Sequence, residues 1–324
     1  MKQLYIIGNG FDCHHKINSS YSSFYSFLSK NYSDLLYEFD ETFGDCNCNW
    51  WSDFENKLGE LKVYTIANKI AFENPPDLLS DHCDRTWNDA ELETKYKIED
   101  IFNRIIKTFH EWIIQLNQPN KELSLRIETT NSVFLTFNYT KTLENLYGIE
   151  PKKILHIHGC VNDLEAGHSE NFIIGHGKTR EDILALNDDE ISPKKLTDEE
   201  LVDYFNKRAN NVEFHEQLAR NAAVNELCGL RKPVETIIHN NQNFFESLKD
   251  LNIIHIYGFS FSSIDEPYIK IIADKFNNAK WEISDFNNEN INKINDFLYR
   301  YNINNCEIIS LNDILDKRQL KFEF

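Results

Sequence analysis

A chain of 324 residues, 41% hydrophobic and 13% aromatic, is large and apolar enough to bury a core, as one large domain or two modest ones. Its formal net charge of −18 argues against non-specific nucleic-acid binding, which needs Lys and Arg to displace counterions from phosphates. Seven cysteines, an odd count in a long chain, do not make a disulfide framework, and no stretch reaches the ~18–20 apolar residues of a membrane span. The first apolar run is also too short for a signal peptide. A cytoplasmic protein with reduced thiols, no membrane and no nucleic acid among its partners is expected.

The first element is the apolar run Leu4-Tyr5-Ile6-Ile7, which breaks at Gly8-Asn9-Gly10 and continues into Phe11 and Asp12. A buried strand that stops at Gly-x-Gly and enters a helix leaves room for a phosphate or sugar. The dinucleotide fingerprint would want a third glycine where this chain has Cys13. Tyr21, Phe24, Tyr25 and Leu28 then follow a helical period, with Ser19 or Ser20 as N-cap. Residues 40 to about 130 are acidic, contain tryptophan and are mostly helical by period, with a loop at 74–77. Their strongest stripe is Ile98, Ile101, Phe102, Ile105, Ile106, Phe109 and Ile113.

Further apolar runs read as strands: SVFLTFN at 132–138, KILHIHG at 153–159, NFIIGHG at 171–177, NIIHIYG at 252–258, KWEISDF at 280–286 and CEIIS at 306–310. Most are continuously apolar instead of alternating, as in parallel strands covered on both faces. Residues 178–251 read as helices, with a capping-box signature at Thr197 and Glu200. Ile291, Ile294, Phe297, Leu298 and Tyr301 predict a last helix. The expectation is one α/β domain over 1–324, Rossmann-like, with a largely parallel sheet and helical insertions at about 40–130 and 178–251.

Glycine is scarce, and six of the 11 (Gly8, Gly10, Gly159, Gly175, Gly177 and Gly258) follow a predicted strand. In open α/β sheets the ligand crevice lies outside the carboxyl ends of the strands, although tight strand-to-helix turns need glycine anyway. Gly8 and Gly10 are expected to turn their backbone N–H groups to solvent or ligand. Polar groups gather at equivalent strand ends: Asn138, Thr140, His156, His158, His176, Ser260 and Asp265. Asn138 and His158 should face one another across a cleft bordered by Gly8, Gly258 and Ser260. Asn138 and Thr140 could instead cap the helix holding Leu143 and Leu146.

His156 and His158 share a strand face, so a metal set with His176 and Asp12 is an alternative, with His156 more simply a core histidine. Cys46, Cys48, Cys83 and His82 fit no common zinc knuckle, and no metal is expected. His14 and His15 read as solvated or supporting groups. Ser263 and Glu266 form a capping-box signature. Tyr257, Phe259 and Phe261 either wall the pocket or fill the core.

Taken in order, IIGNGFD…YSSF, FLTFNYT, HIHG, IIGHG and YGFSFSSIDEPYI resemble the AbiH family of bacterial phage abortive-infection proteins. The stretch HHKINSSYSSF departs from it where the family carries a Gly-Leu-Pro-like turn. The family is in turn similar to the sirtuin-like fold, and that resemblance implies a site. Gly8-Asn9-Gly10 would face dinucleotide phosphates, with Phe11 and Asp12 also at the cofactor; beside phosphate, Asp12 must point away, bind ribose or cap the helix. Asn138, within Thr136–Thr140, would lie at the nicotinamide ribose, with Thr140 where the sirtuin motif has aspartate. His158-Gly159 matches the sirtuin His-Gly and makes His158 the catalytic histidine. Gly258-Phe259-Ser260 matches the later Gly-Thr-Ser.

The paired Cys-x-x-Cys zinc module is absent, so protein deacetylation is not implied. What is implied is a phage-defence protein that binds and hydrolyses NAD or a related nucleotide. His158 would be the base and Asn138 the positioning amide, with Gly175, His176 and Asp265 also at the site. A histidine suits that role because it titrates near neutrality when unperturbed. The alternatives are a nucleotide sensor that activates a partner without turnover and a metal-dependent nuclease. Whether the protein works as a homo-oligomer or with a phage-derived trigger stays open.

Overall fold

The computed structural model describes residues 2–76, 86–187 and 212–316. The chain divides into two compact units, one of Met1–Ser23, His110–Ile173 and Pro233–Phe324, the other of Phe24–Phe109 and Ile174–Lys232. Asp77, His82, Cys83 and the Thr197–Glu200 signature lie outside the described residues.

In the first unit six strands form one sheet: β1 (Lys2–Ile7), β2 (Ser132–Thr136), β3 (Ile154–His156), β4 (Leu251–Tyr257), β5 (Lys280–Ser284) and β6 (Cys306–Ile309). Their order is β3-β2-β1-β4-β5-β6, and every neighbouring pair is parallel. The fold is α/β and Rossmann-like. The apolar runs are continuous because alternate residues enter two cores. Leu4, Ile6, Leu135, Ile254, Ile256, Trp281 and Ile283 join Tyr268, Ile269 and Ile272 of the helix Glu266–Phe276 and Ile294 and Phe297 of the helix Ile291–Arg300. Tyr5, Ile7, Phe134 and Tyr257 join Phe11, Leu125, Leu143 and Ile149 on the other face. Such two-sided burial is what a parallel sheet requires.

The register positions the functional edge. Ile7 lies opposite Thr136 and Tyr257, and Thr136 lies opposite His156. Gly8, Asn138, His158 and Gly258 therefore all leave the sheet at its carboxyl edge. Strand order reverses at β1, so the topological switch point lies between β1 and β4.

Two local expectations are corrected. Residues 171–177 form no strand; within them only His176 makes an isolated bridge, to Arg231. Glu266 does not close a capping box with Ser263. Its carboxylate takes Arg300 in a two-point ion pair, together with the Tyr301 hydroxyl at 2.8 Å. A forked guanidinium outcompetes a single backbone N–H for a carboxylate.

The second unit is helical. Its helices include Ser33–Phe43, Val63–Glu73, Arg180–Asn187 and Val212–Gly229. Trp51 is fully buried, stacked on Phe54 at 4.9 Å and met edge-on by Phe24. The helix Asp89–Ile114, which lies in this unit as far as Phe109, buries Ile98, Ile101, Phe102, Ile105, Phe109 and, past the unit's limit, Ile113: the predicted stripe apart from half-buried Ile106.

Candidate functional site

At the end of β1 the glycine turn meets protein backbone. The Gly8 N–H donates to the Tyr257 carbonyl at 3.0 Å and the Gly10 N–H to the Gly258 carbonyl at 2.8 Å. A Cβ on Gly8 would lie 2.6 Å from the Gly258 oxygen. Gly258 has φ +65°, and a Cβ there would fall 2.0 Å from the Phe11 nitrogen. The expectation that these N–H groups face solvent or ligand is thus corrected: both are consumed by β4 and its turn. The glycines allow two loops to touch at the switch point.

The neighbouring side chains are also occupied. Asn9 closes on Ser19, accepting its hydroxyl at 2.6 Å and donating to its carbonyl at 3.1 Å. Phe11 is fully buried in the core. His15 is fully buried too, not solvated. Its Nδ1–H donates to the Phe11 carbonyl at 2.7 Å, so Nε2 accepts the Tyr147 hydroxyl at 2.7 Å. The Leu125 N–H completes the chain by donating to Tyr147 Oη at 2.9 Å. Burial lowers His15 to about 4. His14 reaches the Leu123 carbonyl at 3.0 Å.

Asp12 turns inward and is 1% exposed. Thr140 Oγ1 donates to its Oδ2 at 2.6 Å and Thr142 Oγ1 to its Oδ1 at 2.8 Å. The Asn138 side chain lies near enough to lower the Asp12 carboxyl as well. Desolvation raises Asp12 to about 6 against the pull of these donors and of His156. Thr140 thus binds a carboxylate supplied by the first turn, 128 positions earlier.

Asn138 itself is 6% exposed, and its N–H donates to Thr136 Oγ1 at 3.1 Å. Its Oδ1 is buried and has no hydrogen-bond partner. His156 is held at both nitrogens: Nδ1 lies 3.2 Å from the Asn138 carbonyl and Nε2 3.0 Å from Glu144 Oε1.

Beyond β3, His158 is 2% exposed, with Nε2 3.6 Å from Asp265 Oδ1. Its ring lies 5.4 Å from Phe137 and 5.7 Å from Tyr268. Phe137 in turn meets Phe259 at 4.9 Å, linking the turns after β2 and β4. Gly159 has φ +82°, and a Cβ there would strike the Asn171 carbonyl at 2.4 Å. Ser260 is exposed, whereas Tyr257, Phe259 and Phe261 are buried.

Gly175 and His176 belong to the second unit. Gly175 packs against Leu230, whose carbonyl a Cβ would meet at 2.1 Å. His176 is fully buried; its Nε2–H donates to the Leu227 carbonyl at 2.8 Å, and Nδ1 accepts the Lys178 N–H at 3.1 Å. With both nitrogens engaged it is no metal ligand, which removes the alternative set of His156, His158, His176 and Asp12. Among the described residues no group of three or more His, Cys, Asp or Glu could hold a metal ion. No helix among them is long and apolar enough to cross a membrane.

Sequence reasoning missed Thr142, Glu144 and Tyr147. The available signal was their position in the segment just after Asn138, which a parallel neighbour of β1 must bring beside the first turn.

The sheet order, the glycine turn at the switch point and the polar groups of β2 and β3 define a Rossmann-like α/β protein with a candidate site at its carboxyl edge. The family model described as Bacteriophage abortive infection AbiH matches residues 4–285, and the chain belongs to that family. No curated protein and no solved structure gives a match to the chain.

Proposed function

We propose that the protein serves phage abortive infection by binding NAD or a related nucleotide at the carboxyl edge of its sheet and hydrolysing the nicotinamide glycosidic bond. The observation that carries this reading is the Asn138 amide oxygen, buried without a partner beside a carboxyl group that titrates near neutrality. Asn138 Oδ1 would accept a ribose hydroxyl or the attacking water. The water oxygen adds to the ribose C1′, and the C1′–N bond breaks with its electron pair returning to the pyridine ring. His158 takes the water proton, so neutral nicotinamide and ADP-ribose leave. The oxocarbenium-like state needs placement and proton acceptance more than covalent help.

A second reading, nucleotide sensing without turnover, is favoured by one observation: His158 and Asn138 are only 2% and 6% exposed. Incubating purified protein with NAD, with and without phage lysate, and following nicotinamide release separates the two. Hydrolysis predicts release that His158→Ala lowers by about 10²–10⁴-fold while NAD affinity stays within about tenfold. NAD binding with no release in either condition supports the sensor. Wild-type release rates in His158→Ala overturn the assignment of the base.

A further inference from the structure

We infer that His156 is a positioning residue: as an imidazolium paired with Glu144, it fixes the main chain of Asn138 and so places the Asn138 amide. The inference rests on reading that amide as part of the ligand site at the carboxyl edge, and it says what holds the amide there.

The two contacts of the His156 ring determine its charge. Nδ1 lies 3.2 Å from the Asn138 carbonyl and Nε2 3.0 Å from Glu144 Oε1. A carbonyl and a carboxylate only accept, and a neutral imidazole has one N–H to give. Either neutral tautomer would set a ring lone pair against an oxygen. Two ring protons satisfy both contacts. The second proton belongs on the ring, since an imidazole binds a proton more tightly than a carboxyl group does. Burial points the same way. The His156 and Glu144 side chains are each 13% exposed, and among the described residues Glu144 has no other ion-pair partner. A buried carboxylate left unpaired would be costly. A further charged group near the ring is Asp12, whose carboxyl His156 lowers.

The charged ring acts on Asn138. Parallel register sets Thr136 of β2 opposite His156 of β3. Thr136 Oγ1 accepts the Asn138 N–H at 3.1 Å, and His156 Nδ1–H donates to the Asn138 carbonyl. This cross-strand pair therefore grips both main-chain polar groups of the residue that carries the amide. The grip matters because Asn138 Oδ1 has no hydrogen-bond partner, so the amide is placed from its main chain. A charged donor makes the stronger hydrogen bond. Glu144 stands in the first turn of the helix Thr142–Tyr147, so the chain just past Asn138 supplies the counter-ion. A simple pin between that helix and β3 would need only the Nε2 contact. It does not account for the donation to Asn138.

Two substitutions separate the contacts. The amide nitrogen of an asparagine takes the place of an imidazole Nδ1, and that of a glutamine reaches the place of Nε2. His156→Asn thus keeps the donor to the Asn138 carbonyl, whereas His156→Gln keeps only the donor to Glu144. In the ligand-free full chain, the Asn138 carbonyl carbon resonance should stay near its wild-type position in His156→Asn and move upfield in His156→Gln. Nicotinamide release should be at least about tenfold higher in His156→Asn than in His156→Gln. Nitrogen resonances of the ring should show both nitrogens of wild-type His156 protonated at pH 7. In Glu144→Gln, whose amide can donate to Nε2, they should show one. Should neither His156 variant fold, the ring nitrogens of wild type and of Glu144→Gln still decide. A single protonated ring nitrogen in wild type overturns the inference. A carbonyl resonance that moves equally in both His156 variants overturns the positioning role. Donor-dependent carbonyl shifts without any nicotinamide release overturn the hydrolysis reading and leave the role of His156 standing.

Discussion

Two buried polar clusters lie in the same unit, one in the middle of the sheet and one at its edge, and they are built to opposite specifications. In the middle, Tyr5, His255 and Glu282 stand directly opposite one another on β1, β4 and β5. His255 Nδ1 lies 2.8 Å from Glu282 Oε1 and Nε2 2.9 Å from Gln3 Oε1. Tyr257 donates to the same Glu282 oxygen at 2.6 Å, and the Tyr5 ring stacks on the imidazole at 4.2 Å. His255 holds the Glu282 carboxyl below its ordinary range, while burial drives the Tyr257 hydroxyl far above its own. None of these side chains has a buried polar atom without a partner. At the edge, the Asp12–Thr140–Thr142–Asn138 cluster is equally buried yet leaves one oxygen unused. Closed networks hold register; an open one keeps a place for something else.

The largest expected effect falls on the closed cluster. Glu282→Leu leaves His255 without its carboxylate and Tyr257 without its acceptor, and should cost about 3 kcal/mol in urea unfolding. NAD affinity of the folded fraction should not change. If the loss is under about 1 kcal/mol, the middle cluster is not a register lock.

A comparable but pH-dependent effect separates the edge cluster from the adjoining His15 chain. Unfolded, His15 takes a proton near 6.5; folded, only near 4. Between these values the unfolded chain holds more protons, so this residue makes stability fall as pH falls, by about 3 kcal/mol. Asp12 does the reverse: folded, it keeps its proton up to about 6, against 3.8 unfolded. Its contribution is therefore lost as pH rises through that window, again by about 3 kcal/mol. The two slopes oppose each other in the wild type. Relative to wild type, His15→Gln should become less stable as pH rises from 4 to 6, and Asp12→Asn should become more stable. Parallel profiles for all three proteins would show that neither group is held as the structure holds it.

How much of this was legible follows from what a linear pattern encodes. Six of the seven apolar runs are strands, and in the four inner ones, β1, β2, β4 and β5, two-sided burial writes itself as continuous hydrophobicity. NFIIGHG failed since its backbone partner is Leu230–Lys232, more than fifty residues away, and a bridge of that kind has no local signature. The glycines at 8, 10 and 258 correctly announced a close approach. They could not announce that the approaching backbone is the chain itself. Asp12 and Thr140 are 128 positions apart, and only the register of β1 on β2 brings them together. Glu266 carried a capping pattern that Arg300, 34 residues on, overrode.

The smallest stability change is expected at Asn138, the residue to which the proposed function gives the positioning amide. Asn138→Ala breaks no side-chain hydrogen bond and removes a buried acceptor that has no partner, so little is lost with it. Net change in urea unfolding should stay below about 1 kcal/mol, although Asn138 is as buried as His255 of the middle cluster. Nicotinamide release should nonetheless fall with that of His158→Ala, and the double variant should be no worse than the poorer single, as for residues that act as one unit. A stability loss of 3 kcal/mol or more would place Asn138 with Glu282, as a member of a closed network whose missing partner is a bound water. The edge would then differ from the middle of the sheet in position only.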